Sequence, residues 1–232
     1  LVRDLAAGTE RTLVVCDDPW MFRHLATLAD VDDGKPPALW PVALRLYLRG
    51  FAARLWLGRR LVHAASALRS ARRVAQPGGP AIVVYGHPHS DANGNDAYFG
   101  PLMKELPNLG RALHTDCGVA MARELCRDGR SFSLHGWGNP LFAVGVVFVR
   151  WRPARDFLRS SEHWLLRRAA AYENSGGALA TTRWQAHCQA RWISAMKPAV
   201  IAWPWENHPW ERDIARVARK SGVSSIGYQH AV

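Results

Sequence analysis

Ala199-Val200-Ile201-Ala202-Trp203-Pro204-Trp205-Glu206-Asn207-His208-Pro209-Trp210 opens the stretch, running on to Val232, from which the fold is read. Residues 199–203 form a short apolar run of the kind a buried strand shows. It opens into Glu206, Asn207 and His208, which place a carboxylate, an amide and an imidazole at the strand's carboxyl end. Pro209 suits the first position of a helix, where its missing N–H costs nothing. Ile214, Val217 and Ala218 then recur at helical spacing, and Gly222 follows the basic turn Arg219-Lys220 as a stop signal. A second strand is expected over residues 223–228, ending in Gln229-His230.

Working outward, the same alternation recurs upstream. Gln76-Pro-Gly-Gly-Pro80 reads as a linker. After it the pattern predicts strands over 81–85, 111–114 and 131–134, with helices near 100–106 and over 118–126. Strands alternating with helices predict an α/β fold, a Rossmann-like parallel sheet flanked by helices, over residues 76–232. A mostly helical region is expected over 153–197, interrupted at Ser175-Gly176-Gly177. Within it Arg183, His187 and Arg191 share one helical face while Trp184, Cys188 and Trp192 share the next, so one face should be basic and the other packed.

Residues 1–75 read as a separate N-terminal α/β segment: a strand over 11–16, a helix over 20–30, a loop, and a long helical stretch over 38–74. In that stretch apolar and aromatic residues are interleaved with Arg45, Arg49, Arg54, Arg59 and Arg60, and Gly50 and Gly58 are expected to break or bend it. Two readings fit. One is a pair of amphipathic helices packed on a sheet with snorkelling arginines. The other is an interfacial helix lying on an anionic membrane.

With 232 residues, 48% of them hydrophobic, the chain has material for a proper core. Its net charge of +11 attracts phosphate, whether in nucleic acid, in anionic lipid or in a nucleotide sugar. No RNA- or DNA-binding motif accompanies that charge, so nucleic acid is not the expected partner. The four cysteines, Cys16, Cys117, Cys126 and Cys188, lack a CxxC spacing and read as reduced thiols of a cytoplasmic protein. No stretch of the sequence reads as a signal peptide, and no apolar run approaches the roughly 20 residues of a membrane span, so none of it is expected to be a leader or an anchor. Of the 11 tryptophans, most are expected in core or interface and some as platforms for sugar rings.

Four polar loops follow predicted strands, and in an open parallel sheet those ends converge on one crevice. The first loop carries His87, His89, Asp91, Asn93, Asn95 and Asp96 among glycines. That density suits a hydroxyl-rich sugar, or a turn in which Asp and Asn cap their own backbone. His87, His89 and Asp91 with His114, Asp116 and His135 also offer the ligand types of a metallohydrolase, although the spacing is no specific motif. The third loop adds Asn139, and the fourth Glu206, Asn207 and His208. Glu206 stands beside two tryptophans, where desolvation would fit its carboxyl for general-base work; an ion pair with Arg212 is the structural alternative. Asp91 is the second candidate base.

The phrases WPWENHPWERD, IGYQH, GHPHSDANGNDAYFGPLM, LHTDC, SLHGWGNPLF and TRWQAHCQARW, spread over residues 83–232, resemble bacterial surface-carbohydrate (O-antigen type) biosynthesis proteins taken to be glycosyltransferase-like. The closing Gln229-His230 is more faintly similar to the Gln-His-Gly of capsule Kdo transferases and the Trp-His-Gly of teichoic-acid glycerophosphotransferases, with Ala231 where those have Gly. The resemblance implies the N-terminal, acceptor-side half of a GT-B-type glycosyltransferase, with a nucleotide-sugar-binding half expected after Val232. It implies a nucleotide-sugar donor, a glycan or lipid-linked acceptor, and no cofactor or metal. In this picture Asp91 or Glu206 deprotonates the acceptor, and Asn95, Asn139 and Asn207 hold sugar hydroxyls. His230, with nearby arginines, stabilises charge near the donor phosphates as a third catalytic candidate, and Gln229 joins the substrate-binding residues. The protein is then expected in the cytoplasm, peripheral to the inner membrane. A non-catalytic glycan- or membrane-binding module and a metal-dependent hydrolase are the alternatives.

Overall fold

A computed structural model describes residues 13–28, 31, 34–154 and 163–229. Five strands, β1 (Ala81–Val84), β2 (Gly110–Leu113), β3 (Ser131–Ser133), β4 (Val200–Pro204) and β5 (Ser224–Tyr228), form one sheet. Every pairing is parallel, in the order β3-β2-β1-β4-β5. The chain lays down three strands in one direction and then returns to the other side of β1 for β4. The strand order therefore reverses between β1 and β4, which is where doubly wound sheets open a ligand crevice at their carboxyl edge. β1 is Ala81-Ile82-Val83-Val84, buried throughout, as suits β-branched residues in a central strand. β5 is exposed along its whole length. The α/β class and the parallel sheet are as the alternation predicts.

The helices are α1 (Pro19–Leu25), α2 (Leu39–Ala67), α3 (Leu102–Glu105), α4 (Val119–Leu125), α5 (Pro140–Gly145), α6 (His163–Glu173), α7 (Ala178–Met196) and α8 (Pro209–Lys220). On α7, Trp184, Cys188 and Trp192 are buried while Arg183 and Arg191 are exposed, as their spacing predicts, but His187, expected with the arginines, is half-buried and stacks on Phe142 at 3.9 Å. No helix among the described residues is long and apolar enough to cross a membrane.

Packing divides the chain into two compact units, one from Leu1–Arg54 and Val149–Leu179, the other from Leu55–Phe148 and Ala180–Val232. This differs from a break near residue 75. The reason is that the later turns of α2 belong to the sheet's own unit: Leu61, Ala64, Ala65 and Leu68 are buried, and Leu68 joins a core with Ile82, Val84, Leu113 and Leu125. The Gln76–Pro80 segment is a tight turn into β1, with Gly78 in the left-handed region (φ 72°) and its N–H donated to the Met196 carbonyl at 2.8 Å.

Two further expectations give way. Residues 13–18 form no strand, the first two residues of the expected one lying outside the described part; Asp18 instead caps α1, accepting from the Trp20 and Met21 amides at 3.0 and 3.1 Å. And α2 runs unbroken for 29 residues through both glycines. Gly50 and Gly58 are there for space. A Cβ on Gly50 would sit 1.8 Å from the Asn174 carbonyl oxygen, and one on Gly58 would sit 3.1 Å from both Ala143 O and Val147 Cγ2. Arg54 does not snorkel: it is 2% exposed and donates to Asn174 O at 2.8 Å. Trp40, Leu44, Tyr47, Leu48, Phe51 and Leu55 form an exposed apolar stripe on the same helix.

Candidate functional site at the strand carboxyl ends

Tyr85 directly follows β1, and its hydroxyl accepts a 2.9 Å hydrogen bond from Trp210 Nε1 in the first turn of α8. The Tyr85 ring also meets those of Tyr98 (5.8 Å between centroids), His114 (5.3 Å) and His208 (6.1 Å). Tyr85 thus sits at the centre of an aromatic cluster at the carboxyl ends of β1, β2 and β4. Burial pushes its phenol well above the ordinary value, helped by the nearby Glu206, Glu211 and Asp116 charges, so it is held as a neutral hydroxyl.

At the end of β4, Glu206 Oε2 lies 3.3 Å from His208 Nε2, and both side chains are partly open to solvent (30% and 50%). The loop that presents them is fixed from α8. Glu211, fully buried, reaches back so that Oε1 accepts from the Glu206 amide (3.0 Å) and Oε2 from the Asn207 amide (3.1 Å). This is a helix's third-residue carboxylate satisfying free N–H groups at its amino end. Asn207 takes a left-handed backbone (φ 64°), which asparagine tolerates better than most side chains. The Trp205 amide donates to Tyr228 O at 2.7 Å, so the loop is also tied to the end of β5, beyond which Gln229 is exposed.

From β2, His114 brings its ring 4.5 Å from that of Trp210 and its Nδ1 3.2 Å from Asp116 Oδ1. His114 is 1% exposed, and its Nε2 has no hydrogen-bond partner among the described residues. From β3, His135 accepts from Trp184 Nε1 at 3.0 Å, and burial pushes its imidazole down to about 4, so it is neutral. Beside these strand ends lies a cleft of about 530 Å³, lined among others by Arg59, Arg60 and His63 of α2 with Thr115, Asp116 and His135. The α2 residues were not among the expected site positions; their signal was an Arg59, Arg60, His63 spacing that puts all three on adjoining parts of one helix surface.

The polar first loop divides differently from its reading as a sugar site. Asp91 accepts from the Asn93 amide (2.8 Å), the Asn95 amide (3.1 Å) and Asn95 Nδ2 (2.6 Å). The Asn95 side chain, with these amides, holds the Asp91 carboxyl below the usual range, the reverse of what a general base needs. Asp96 is buried and caps the Tyr98 and Phe99 amides at 3.0 and 3.2 Å. Beneath both runs Arg111, fully buried, donating to Asp91 O (2.8 Å), Asn95 O (3.1 Å), Ser131 Oγ (2.7 Å) and Asp128 Oδ2 (3.0 Å). Asp91, Asn95 and Asp96 therefore build the loop. Asn93 is exposed on it, and His87 and His89 stack edge to face at 4.9 Å, His87 facing Tyr98 at 6.0 Å. Asn139 is the N-cap of α5, accepting from Leu141 N at 2.9 Å.

The residues brought together at the crevice are thus Glu206, His208, His114 and Asp116 around Tyr85 and Trp210, with His87 reached through Tyr98. Among the described residues no three His, Cys, Asp or Glu side chains gather where they could share a metal ion, so the six-residue ligand set of a metallohydrolase does not assemble. His230 lies outside the described residues. No family model matches the chain, and no curated protein or solved structure is significantly similar to it.

Proposed function

We propose that this chain is the acceptor-side domain of a two-domain, GT-B-type glycosyltransferase that builds bacterial surface polysaccharide from a nucleotide sugar. The observation that carries this reading is the Glu206–His208 pair, held 3.3 Å apart at the carboxyl end of β4, beside the point where the strand order reverses. A carboxylate paired with an imidazole takes a proton from a hydroxyl, and the pair is partly open to solvent, with the half-exposed Trp205 next to it in the chain as an aromatic face for a sugar ring. In the reaction the acceptor oxygen loses its proton to this pair and attacks the anomeric carbon. The bond to the donor phosphate breaks, and the nucleoside diphosphate leaves with the electron pair. The donor's own binding site belongs to a second domain.

The test is turnover by the intact enzyme with a panel of nucleotide sugars, comparing wild type with Glu206→Gln and His208→Asn. Losses of about 100-fold or more in kcat with a nearly unchanged KM are expected, in line with removal of general-base catalysis. Full turnover in both variants would sink the assignment.

The exposed stripe Trp40, Leu44, Tyr47, Leu48, Phe51 and Leu55, flanked on α2 by Arg45 and Arg49, supports a second property, peripheral attachment to an anionic membrane face. Vesicles containing anionic lipid should sediment the protein, and Leu48→Asp with Phe51→Asp should abolish this. Binding unchanged in that variant would reject the stripe as the contact.

A further inference from the structure

The transferase reading uses the crevice between β1 and β4 and leaves the neighbouring 530 Å³ cleft unassigned. One wall of that cleft is α2, which supplies Trp56, Arg59, Arg60 and His63 at positions i, i+3, i+4 and i+7. The Arg60 guanidinium lies 4.5 Å over the Trp56 ring. Among the described residues, neither Arg59 nor Arg60 is in an ion pair. Thr115 lines the same cleft, and its Oγ1 is buried without a hydrogen-bond partner among the described residues. His135 contributes a neutral imidazole to the same lining. Asp116 is the one acid of the lining, and it is shared with His114 Nδ1 at 3.2 Å. Two guanidinium groups against one carboxylate leave the cleft with positive charge to be matched.

A single carboxylate would occupy one guanidinium. A diphosphate presents acceptor oxygens to both guanidinium groups and to the threonine hydroxyl at once, and guanidinium forks match such oxygens in two-point hydrogen bonds. The volume falls in the range of small-ligand sites and exceeds what the phosphates alone fill, and the exposed Trp56 adds aromatic surface for an attached ring. We infer that the cleft binds the diphosphate of a sugar diphosphate, with Arg59, Arg60 and Thr115 as its contacts. The sugar part of this inference rests on the transferase reading; the phosphate part does not.

That chemistry is carried by soluble nucleotide sugars and by lipid-linked sugars, and the experiment separates them. The full chain is titrated by calorimetry with inorganic pyrophosphate, with a uridine diphosphate sugar and with farnesyl diphosphate, at low and moderate salt, alongside Arg59→Gln/Arg60→Gln and Thr115→Val. Pyrophosphate should bind and weaken with salt, at least tenfold more weakly in the double arginine variant and severalfold more weakly in Thr115→Val. Both arginines are exposed on the helix, so circular dichroism of the variant should match wild type. Tighter binding of farnesyl diphosphate than of the nucleotide assigns a lipid-linked ligand, as the acceptor-side reading expects, whereas the reverse order assigns a nucleotide and moves the donor's diphosphate onto this chain, against that reading. Absence of pyrophosphate binding, or equal affinity in the double arginine variant, overturns the inference. Because Glu206 and His208 do not line this cleft, that failure leaves their turnover test intact, and loss of the transferase reading leaves pyrophosphate binding to stand by itself.

Discussion

The indole N–H of Trp210 is donated to the Tyr85 hydroxyl across 2.9 Å, fastening the first turn of α8 to the end of β1 over the gap where the strand order reverses. The spacing of the two elements is therefore set at this point by two aromatic side chains and not by the loops beyond them.

Replacing Tyr85 by Phe keeps the ring and removes the acceptor, leaving a buried indole N–H unpaired. The expected loss is about 1–3 kcal/mol of stability in urea unfolding. Trp210→Phe should lose a similar amount, and the double variant less than their sum, because both remove one bond. Strict additivity would show that the two groups act independently.

Arg111 balances Asp128 at 3.0 Å and Asp96 at 3.7 Å inside the sheet's unit. Arg111→Met strands two buried carboxylates without their cation, a change that costs about 3–5 kcal/mol. That is a large share of the roughly 5–15 kcal/mol by which an ordinary protein is stable. Thermal unfolding and amide exchange over residues 91–96 would report it; a melting temperature within a degree or two of wild type would contradict the assignment of Arg111 as the loop's anchor.

His135 predicts a pH response. Its imidazole titrates at about 4 in the folded chain, because burial disfavours the charged form, and near 6.5 when unfolded. Between those values the unfolded chain binds more protons, so its stabilising contribution is complete above about pH 6.5 and is lost as the pH falls towards 4, amounting to at most about 3 kcal/mol. Urea unfolding at pH 7.5, 5.5 and 4.5 should show the decline, and His135→Gln should remove this component of it. An identical pH profile in the variant would locate the dependence elsewhere.

Gly50 and Gly58 separate two ideas about glycine in a helix. If they loosened α2, alanine at either would stabilise it by about 1 kcal/mol. The contacts say otherwise: Gly50→Ala drives a methyl into the Asn174 carbonyl and should cost more than about 2 kcal/mol, whereas Gly58→Ala, at 3.1 Å from its neighbours, should stay within about 1 kcal/mol of neutral. Stabilisation by Gly50→Ala would refute the packing explanation.

The element order of residues 81–134 and 199–228 was legible because β-branched runs such as Ile82-Val83-Val84 and helix stops such as Gly222 carry their meaning locally. What stayed hidden depends on partners distant in the chain. Arg111 sits mid-strand in Gly110-Arg111-Ala112-Leu113, where spacing cannot say that its guanidinium turns inward to hold a loop 16 to 20 residues earlier. For the same reason Asp91 read as a base, although Asn95 and the loop amides occupy it. Glu206 and His208 were legible as candidates from their place after a strand, but Glu211, which shapes their loop, looked like any helix acid. The two-unit division was illegible because each unit joins segments far apart in sequence.

The anchoring of the first loop by Arg111 separates two kinds of residue that look alike in the sequence. Asp91, Asn95, Asp96 and Arg111 form a single block, and none can change unless the others change with it. His87, His89 and Asn93, a few positions away, stand outside that block. Among chains that inherit this fold, substitutions should therefore accumulate at the second set, while the first persists.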